Sequence, residues 1–255
     1  MKTLTFALQK GGTGKTSVSV SVAVELAKKY RVIFIDADPQ GNSSSWIGSS
    51  QIKHELSDVL NEEASLGECI CQTEIPNLFL IPTAGIDGGL RKYQESKAMS
   101  LPFAIADLLP DLSKIFDFCI IDTSPAFGGI ERACFAAADE VIPVLQLNQF
   151  SVDGLKIFTT NLTNAKKALH LGDKPVIRNI ILNARDERIA QQNDNLKIFQ
   201  SMQSDSVQLF VLPTDQAYSK AQKINKPTQS ISTAKPETLK VLESIANKIA
   251  EDYNK

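Results

Sequence analysis

The residues best equipped for chemistry form one short run, KGGTGKT at positions 10–16. Glycines at 11, 12 and 14 let a backbone turn sharply and come close to a ligand. Their amides, with the N-terminus of a following helix, make a cradle for an anion. Lys15 adds a cation for the β- and γ-phosphate oxygens of a nucleotide, and the Thr16 hydroxyl is a ligand for Mg2+. Thr13 and Ser17 complete the loop and the first helical turn. The flanks agree: LTFAL (4–8) reads as a strand and SVSVSVAVELAKKY (17–30) as a helix. One position departs from the common pattern G-x-x-x-x-G-K-[ST]: its first glycine is replaced by Gln9, and Lys10 opens the loop.

Two acidic strand ends extend the chemistry. In VIFIDADPQGN (32–42), Asp36 and Asp38 end an apolar run and lead into a polar loop. A carboxylate there can hold a water, or a metal-bound water, against a phosphate. In FDFCIIDTSP (116–125), apolar residues end in Asp122, the form of a segment that orders Mg2+. Thr16, Asp36 and Asp122 are therefore the candidate metal residues. Lys15 and Asp38 are the candidate catalytic ones.

These residues need a scaffold that brings strand ends together. Apolar, β-branched runs near 3–8, 31–35, 78–82, 117–122, 140–145, 176–182 and 207–212 alternate with helical patterns. Near-continuous runs such as VIFI and FCII suit strands buried on both faces. The alternation predicts an α/β fold: a doubly wound, mostly parallel sheet flanked by helices, with ligands at the C-terminal strand ends. GNSSSWIGSS (41–50) reads as a mobile loop. Leu239, Leu242, Ile245, Ile249 and Tyr253 recur at helical spacing, predicting a C-terminal helix packed on the sheet.

Composition narrows the class. The 255 residues carry no run approaching a membrane span, and the first strand begins without a charged-then-apolar leader. Cys69, Cys71, Cys119 and Cys134 form no paired CxxC set, which argues against zinc and fits a reducing cytoplasm. Residues 1–150 hold 12 basic and 18 acidic groups, and residues 151–255 hold 15 and 11. The second half thus permits an anionic partner.

KGGTGKT, DADPQGN and IIDTSP together resemble the deviant Walker A ATPases of the ParA type. The likeness continues through ERACFAAADEVIPVLQLNQFSVDGL (131–155), LNARDER (182–188), VLP (211–213) and KINKP (223–227). It implies one ParA-like ATPase domain over 1–255, with ATP and Mg2+ as cofactors. Lys10 would be the lysine that reaches across a dimer to the partner's nucleotide, where a cation offsets phosphate charge. Asp38 would be linked to the attacking water. Asn183 would contact the base, since an amide both donates and accepts, and Pro213 and Asp215 would line the adenine edge.

The resemblance further implies an ATP-bound homodimer that binds DNA without sequence preference, and a ParB-type centromere-binding protein that stimulates hydrolysis. The location would be cytoplasmic and nucleoid-associated, and the cargo a plasmid or chromosome. Leu8, Thr13 and Ser17 depart mildly from the family's usual Asn, Val and Thr. The segment after VLP is TDQAYSK, without the family's common arginine, so Arg185, Arg188, Lys220, Lys223 and Lys226 would supply the DNA surface. The start at the first strand implies no operator-binding extension and no autorepressor role. A MinD-like membrane cycle wants a basic amphipathic tail, which EDYNK is not, so no stable membrane anchor is expected. Placement of a protein cargo is the other reading with the same chemistry. A metal-cluster reductase would need bridging cysteines, which Cys119 and Cys134 do not suit.

Overall fold

The computed structural model describes residues 1–48, 52–204 and 206–253. The apolar runs become strands β1 (Lys2–Ala7), β2 (Val32–Ala37), β3 (Cys71–Gln72), β4 (Leu78–Ile81), β5 (Phe118–Thr123), β6 (Glu140–Gln146), β7 (Asn179–Arg185) and β8 (Gln208–Pro213). They form a single sheet in the order β3-β4-β2-β5-β1-β6-β7-β8. Only the β3–β4 pairing is antiparallel. β1 sits between β5 and β6, at the point where the winding reverses. Such a switch point opens a crevice at the C-terminal strand ends.

Helices α1 (Lys15–Ala27), α2 (Asn42–Ile47), α3 (Leu56–Leu60), α4 (Leu66–Cys69), α5 (Leu90–Ser96) and α6 (Leu109–Leu112) occupy the first half. Helices α7 (Gly129–Ala137), α8 (Ser151–Ala168), α9 (Ala190–Ser201), α10 (Ala217–Lys223) and α11 (Pro236–Tyr253) follow. Side chains alternate faces along each strand. Val32, Phe34, Phe118 and Ile120 accordingly pack with α1, α10 and α11. Ile33, Ile35, Cys119 and Ile121 pack on the other face with α3–α7. A third cluster joins β6 and β7 to α8 and α9 around Phe135, Phe158 and Phe199.

The sequence of α1 alternates serine and valine, the period of a strand, yet it forms a helix. It is buried on nearly every side, so valine is accepted all round. The serines turn their hydroxyls onto their own helix: Ser21 Oγ donates to the Ser17 carbonyl at 2.7 Å and Ser19 Oγ to that of Thr16 at 3.1 Å. Small side chains also allow α11 to lie against α1. There Leu242, Ile245 and Ile249 are fully buried, and Tyr253 reaches Phe118 with ring centroids 4.9 Å apart.

Three expectations change. The segment 41–48 is not a loop: Asn42–Ile47 is helical, with Trp46 and Ile47 buried. Gly41, at φ 64°, lets the chain turn in, and the Asp36 carboxylate holds the helix by accepting from Ser44 N at 2.8 Å and Ser44 Oγ at 2.6 Å. The remaining residues of that expected loop, Ser49 and Ser50, lie outside the described residues. The strand read near 176–182 begins at Asn179, because Val176 makes only an isolated bridge to Glu140. The two-residue β3 was not expected. No described helix is long and apolar enough to cross a membrane.

The packing of α11 predicts that Ile245→Ala lowers stability by about 2–5 kcal/mol, the usual cost of emptying a fully packed site. Lys240→Ala on the exposed face of α11 should stay within about 0.5 kcal/mol of wild type. Urea unfolding of both variants measures the contrast, and equal midpoints would refute the packed role of this helix.

Candidate functional site

The glycine-rich loop leaves the end of β1 at the switch point and enters α1 at Lys15. Gly12 and Gly14 take φ values of 72° and 89°, which side chains resist. A Cβ on Gly14 would also lie 2.2 Å from Asn183 Nδ2. Gly11 needs neither exemption: its φ is ordinary and a Cβ there would meet open space. The loop lines a cleft of about 590 Å3. Gly11 through Thr16 form its floor, with Asp38, Gln40, Trp46, Gln222 and Asn225 among the residues around them. Ser17 lies just beyond, where its hydroxyl accepts from Gln222 Nε2 at 3.5 Å.

Charge in this cleft is concentrated and poorly hydrated. Lys15 is 7% exposed and donates to the Lys10 carbonyl at 3.2 Å. Burial lowers its pKa, while Asp122, Asp38 and Glu131 pull it back up. Asp122 is fully buried, and neither carboxylate oxygen makes a well-formed hydrogen bond among the described residues, although the Thr16 hydroxyl is near enough to favour its charged form. Burial, reinforced by the Asp36 charge, pushes its pKa up to about 8, against the opposing pull of Thr16 and Lys15. Asp38 accepts from Gln40 N at 2.9 Å and remains at the cleft wall.

Asp36 has a different setting from the one its sequence position suggests. Its two oxygens accept from Ser44 N, Ser44 Oγ and Asp38 N. Burial raises its pKa to about 6, with the Ser44 and Ser43 hydrogen bonds opposing. The expected metal ligand is thus occupied as an anchor for α2. Thr83 closes the network, donating Oγ1 to the Asp36 carbonyl at 2.6 Å while its amide meets Ser44 Oγ at 2.8 Å.

Side-chain amides from distant elements hold the loop. Gln146 Nε2 donates to the Gly12 carbonyl at 2.8 Å, and Asn183 Nδ2 to that of Thr13 at 2.9 Å. Asn183 therefore supports the loop through its donor, while its Oδ1 is buried and unpartnered among the described residues. Lys10 Nζ donates to Asn148 Oδ1 at 3.0 Å. Sequence reasoning missed Gln146, Asn148, Trp46 and Gln222, which carry no local motif. Glu131 was also missed: buried at the start of α7, it accepts from Ser124 Oγ and from Gly128 N, fixing the loop after Asp122.

Five of the remaining expected residues, Arg185, Arg188, Pro213, Asp215 and Lys220, gather in a second cleft of about 720 Å3. Asp215 is an anchor there rather than an open adenine contact: it accepts from Ala217 N, Lys235 N and Thr238 Oγ1, tying α10 to α11. The two arginines are not free cations. Arg188 pairs with Asp186 through Nε at 2.9 Å and Nη2 at 2.6 Å, and Arg185 Nη1 lies 3.2 Å from Glu187. Lys226 pairs with Glu74 at 2.7 Å, and Lys220 donates to Thr233 at 2.9 Å. Lys223 is exposed at the end of α10.

A phosphate cradle at the switch point of a parallel sheet defines a P-loop nucleotide-binding protein. The residues fit nucleotide and Mg2+: unpartnered Asp122 oxygens beside Thr16 suit a hard cation, and Lys15 under the glycine amides suits phosphate. A family model described as AAA domain matches residues 1–172. The chain is similar to the virulence plasmid ParA family protein pGP5-D of Chlamydia muridarum, 30% identical over 81% of this chain and 77% of that one. It is 28% identical to the chromosome partitioning protein ParA of Caulobacter vibrioides, over 89% and 86%. Its fold matches a putative plasmid partition protein of Borrelia burgdorferi bound to AMPPNP, with TM-score 0.83 and 21% identity over 98% and 99% of the two chains. The chain belongs to the ParA-type partition ATPases of the ParA/MinD superfamily.

The buried carboxyl at Asp122 predicts a pH signature. Its unfolded pKa is about 4 and its folded value about 8. Between them the folded state binds more protons, so stability falls as pH rises through that window. Asp122→Asn removes the ionisable group. Its melting temperature should exceed wild type by more at about pH 8.5 than at about pH 5. An equal difference at both pH values would refute an ionisable strain at this position.

Proposed function

We propose that this chain hydrolyses ATP with Mg2+ in the cleft floored by Gly11–Thr16, and that ATP drives it into a homodimer that binds DNA without sequence preference. The observation that carries this reading is the unpartnered Asp122 carboxylate facing the Lys15 and Thr16 end of the glycine loop. Bound Mg2+ would supply the positive charge that these oxygens lack. The loop amides and Lys15 hold phosphate oxygens, and Thr16 and Asp122 hold the metal. Asp38, at the wall, orients the attacking water. Asn183, whose buried Oδ1 lacks a partner among the described residues, would turn that oxygen to the exocyclic amine of adenine, and Pro213, which lines the second cleft, would meet the edge of the base. Lys10 leaves Asn148 and reaches the partner's nucleotide, where its ammonium offsets charge building on the phosphates.

The work of the cycle is partition. Residues 1–255 act as one ATPase domain, a ParB-type centromere-binding protein accelerates hydrolysis, and the cargo follows over the nucleoid. Kinship to chromosome and plasmid partition proteins supports this. The ion pairs of Arg185 and Arg188 leave the DNA surface thin in one protomer, so two protomers must combine their patches. The same pairs favour a second reading, in which the ATPase places a protein cargo and DNA contact is weak.

Lys15→Ala should abolish nucleotide binding in calorimetric titration. Asp38→Ala should leave ATP-dependent dimers intact in gel filtration while slowing phosphate release; hydrolysis at the wild-type rate would sink its water-orienting role. Binding to a random-sequence duplex, with ADP or ATP over a salt series, separates the two readings. Binding with ATP alone, with a log–log salt slope near −4.5 for about five neutralised phosphates, supports DNA partition. ATP-dependent dimers without duplex binding support the protein cargo.

A further inference from the structure

Gln9 stands two residues before the first glycine of the loop, where the common pattern has its own first glycine. In the common pattern this position has no side chain, and here it has a long one that is engaged. Asn161 Nδ2 donates to Gln9 Oε1 at 2.7 Å, across 152 residues of chain. Asn161 sits on a rigid support, because its neighbours on α8, Phe158, Leu162 and Ala165, are buried in the third core cluster. On the other side Gln9 follows Leu8, which is 3% exposed and closes the end of β1.

The next peptide carries the consequence. The Lys10 carbonyl accepts from Lys15 Nζ at 3.2 Å, so the orientation of the 9–10 segment sets one of the few contacts of that buried ammonium. α8 thus reaches the phosphate lysine through two hydrogen bonds and one peptide: Asn161 to Gln9, then Lys10 to Lys15. Among the described residues, Gln146 and Asn183 grip carbonyls farther along, at Gly12 and Thr13, and Asn148 holds the Lys10 side chain rather than its carbonyl.

We infer that Asn161, through Gln9, is a positioning residue that presets the phosphate loop for nucleotide. It touches no substrate. It lowers the ordering cost of binding by fixing the first turn of the loop before phosphate arrives. The inference rests on the reading of this cleft as the nucleotide site.

Calorimetric titration of the full chain with a non-hydrolysable ATP analogue and Mg2+ provides the test. Asn161→Leu keeps shape and removes the amide, and Gln9→Leu removes the acceptor. Each should weaken binding by about fivefold, the scale of one net hydrogen bond. The double variant should also lose about fivefold rather than about twenty-fivefold, because both changes break one link. Asn164→Leu, on the exposed face of the same helix, should bind as wild type. Melting curves check folding, and if Asn161→Leu does not fold, Gln9→Leu in the loop carries the comparison alone. Unchanged affinity in either single variant, or losses that multiply in the double, would overturn the positioning role. Failure of the wild-type chain to bind the analogue would instead refute the nucleotide reading itself.

Discussion

Asp36 and Asp122 stand directly opposite each other on adjacent parallel strands, both without access to water. Two carboxyl groups so placed cannot both ionise cheaply, since each lacks hydration and feels the other's field. The fold treats them unequally. Asp36 is satisfied by hydroxyl and amide donors from α2, whose formation it enforces. Asp122 is left with Lys15 and the Thr16 hydroxyl as its compensating groups, and neither of its oxygens makes a well-formed hydrogen bond among the described residues. The surrounding structure follows from this imbalance: a helix start that delivers a lysine, a loop that needs an anion, and a threonine beside orphaned oxygens.

The neighbouring loops are held by the same device on a smaller scale. Glu55 accepts from Ala84 N at 2.5 Å and from Gly89 N, and Glu131 accepts from Ser124 and Gly128. Asp215 does likewise between α10 and α11. Buried carboxylates that accept backbone amides fix irregular segments, because an unmade bond there would strand a charge. Several turns on the cleft side of the sheet are therefore individually anchored rather than merely packed.

What the sequence disclosed follows a physical rule. The glycine loop, the strand-end aspartates and the helix bearing Leu242, Ile245 and Ile249 were legible because each depends on neighbours within a few residues. The parallel order of the sheet followed from near-continuous apolar strands. Features that depend on distant partners stayed hidden: Gly14 is required partly by Asn183, and Gly12 is held by Gln146. The segment GNSSSWIG has the composition of a loop, yet Asp36 makes it a helix. The arginines of LNARDER look like free cations in a string of letters, but the folded turn brings Asp186 and Glu187 onto them.

Trp46 is the only tryptophan in 255 residues, and it borders the cleft beside the glycine loop. Its indole is 2% exposed and donates to the Lys226 carbonyl at 2.9 Å, bridging α2 and the turn after α10. A single chromophore in this position gives the protein an intrinsic optical gauge. Its emission arises from one site, without background from other indoles, and is sensitive to hydration of the ring. Separation of α2 from the Lys226 turn would admit water to the indole and shift its emission to longer wavelength. The motions around the phosphate loop can thus be followed in the unlabelled chain.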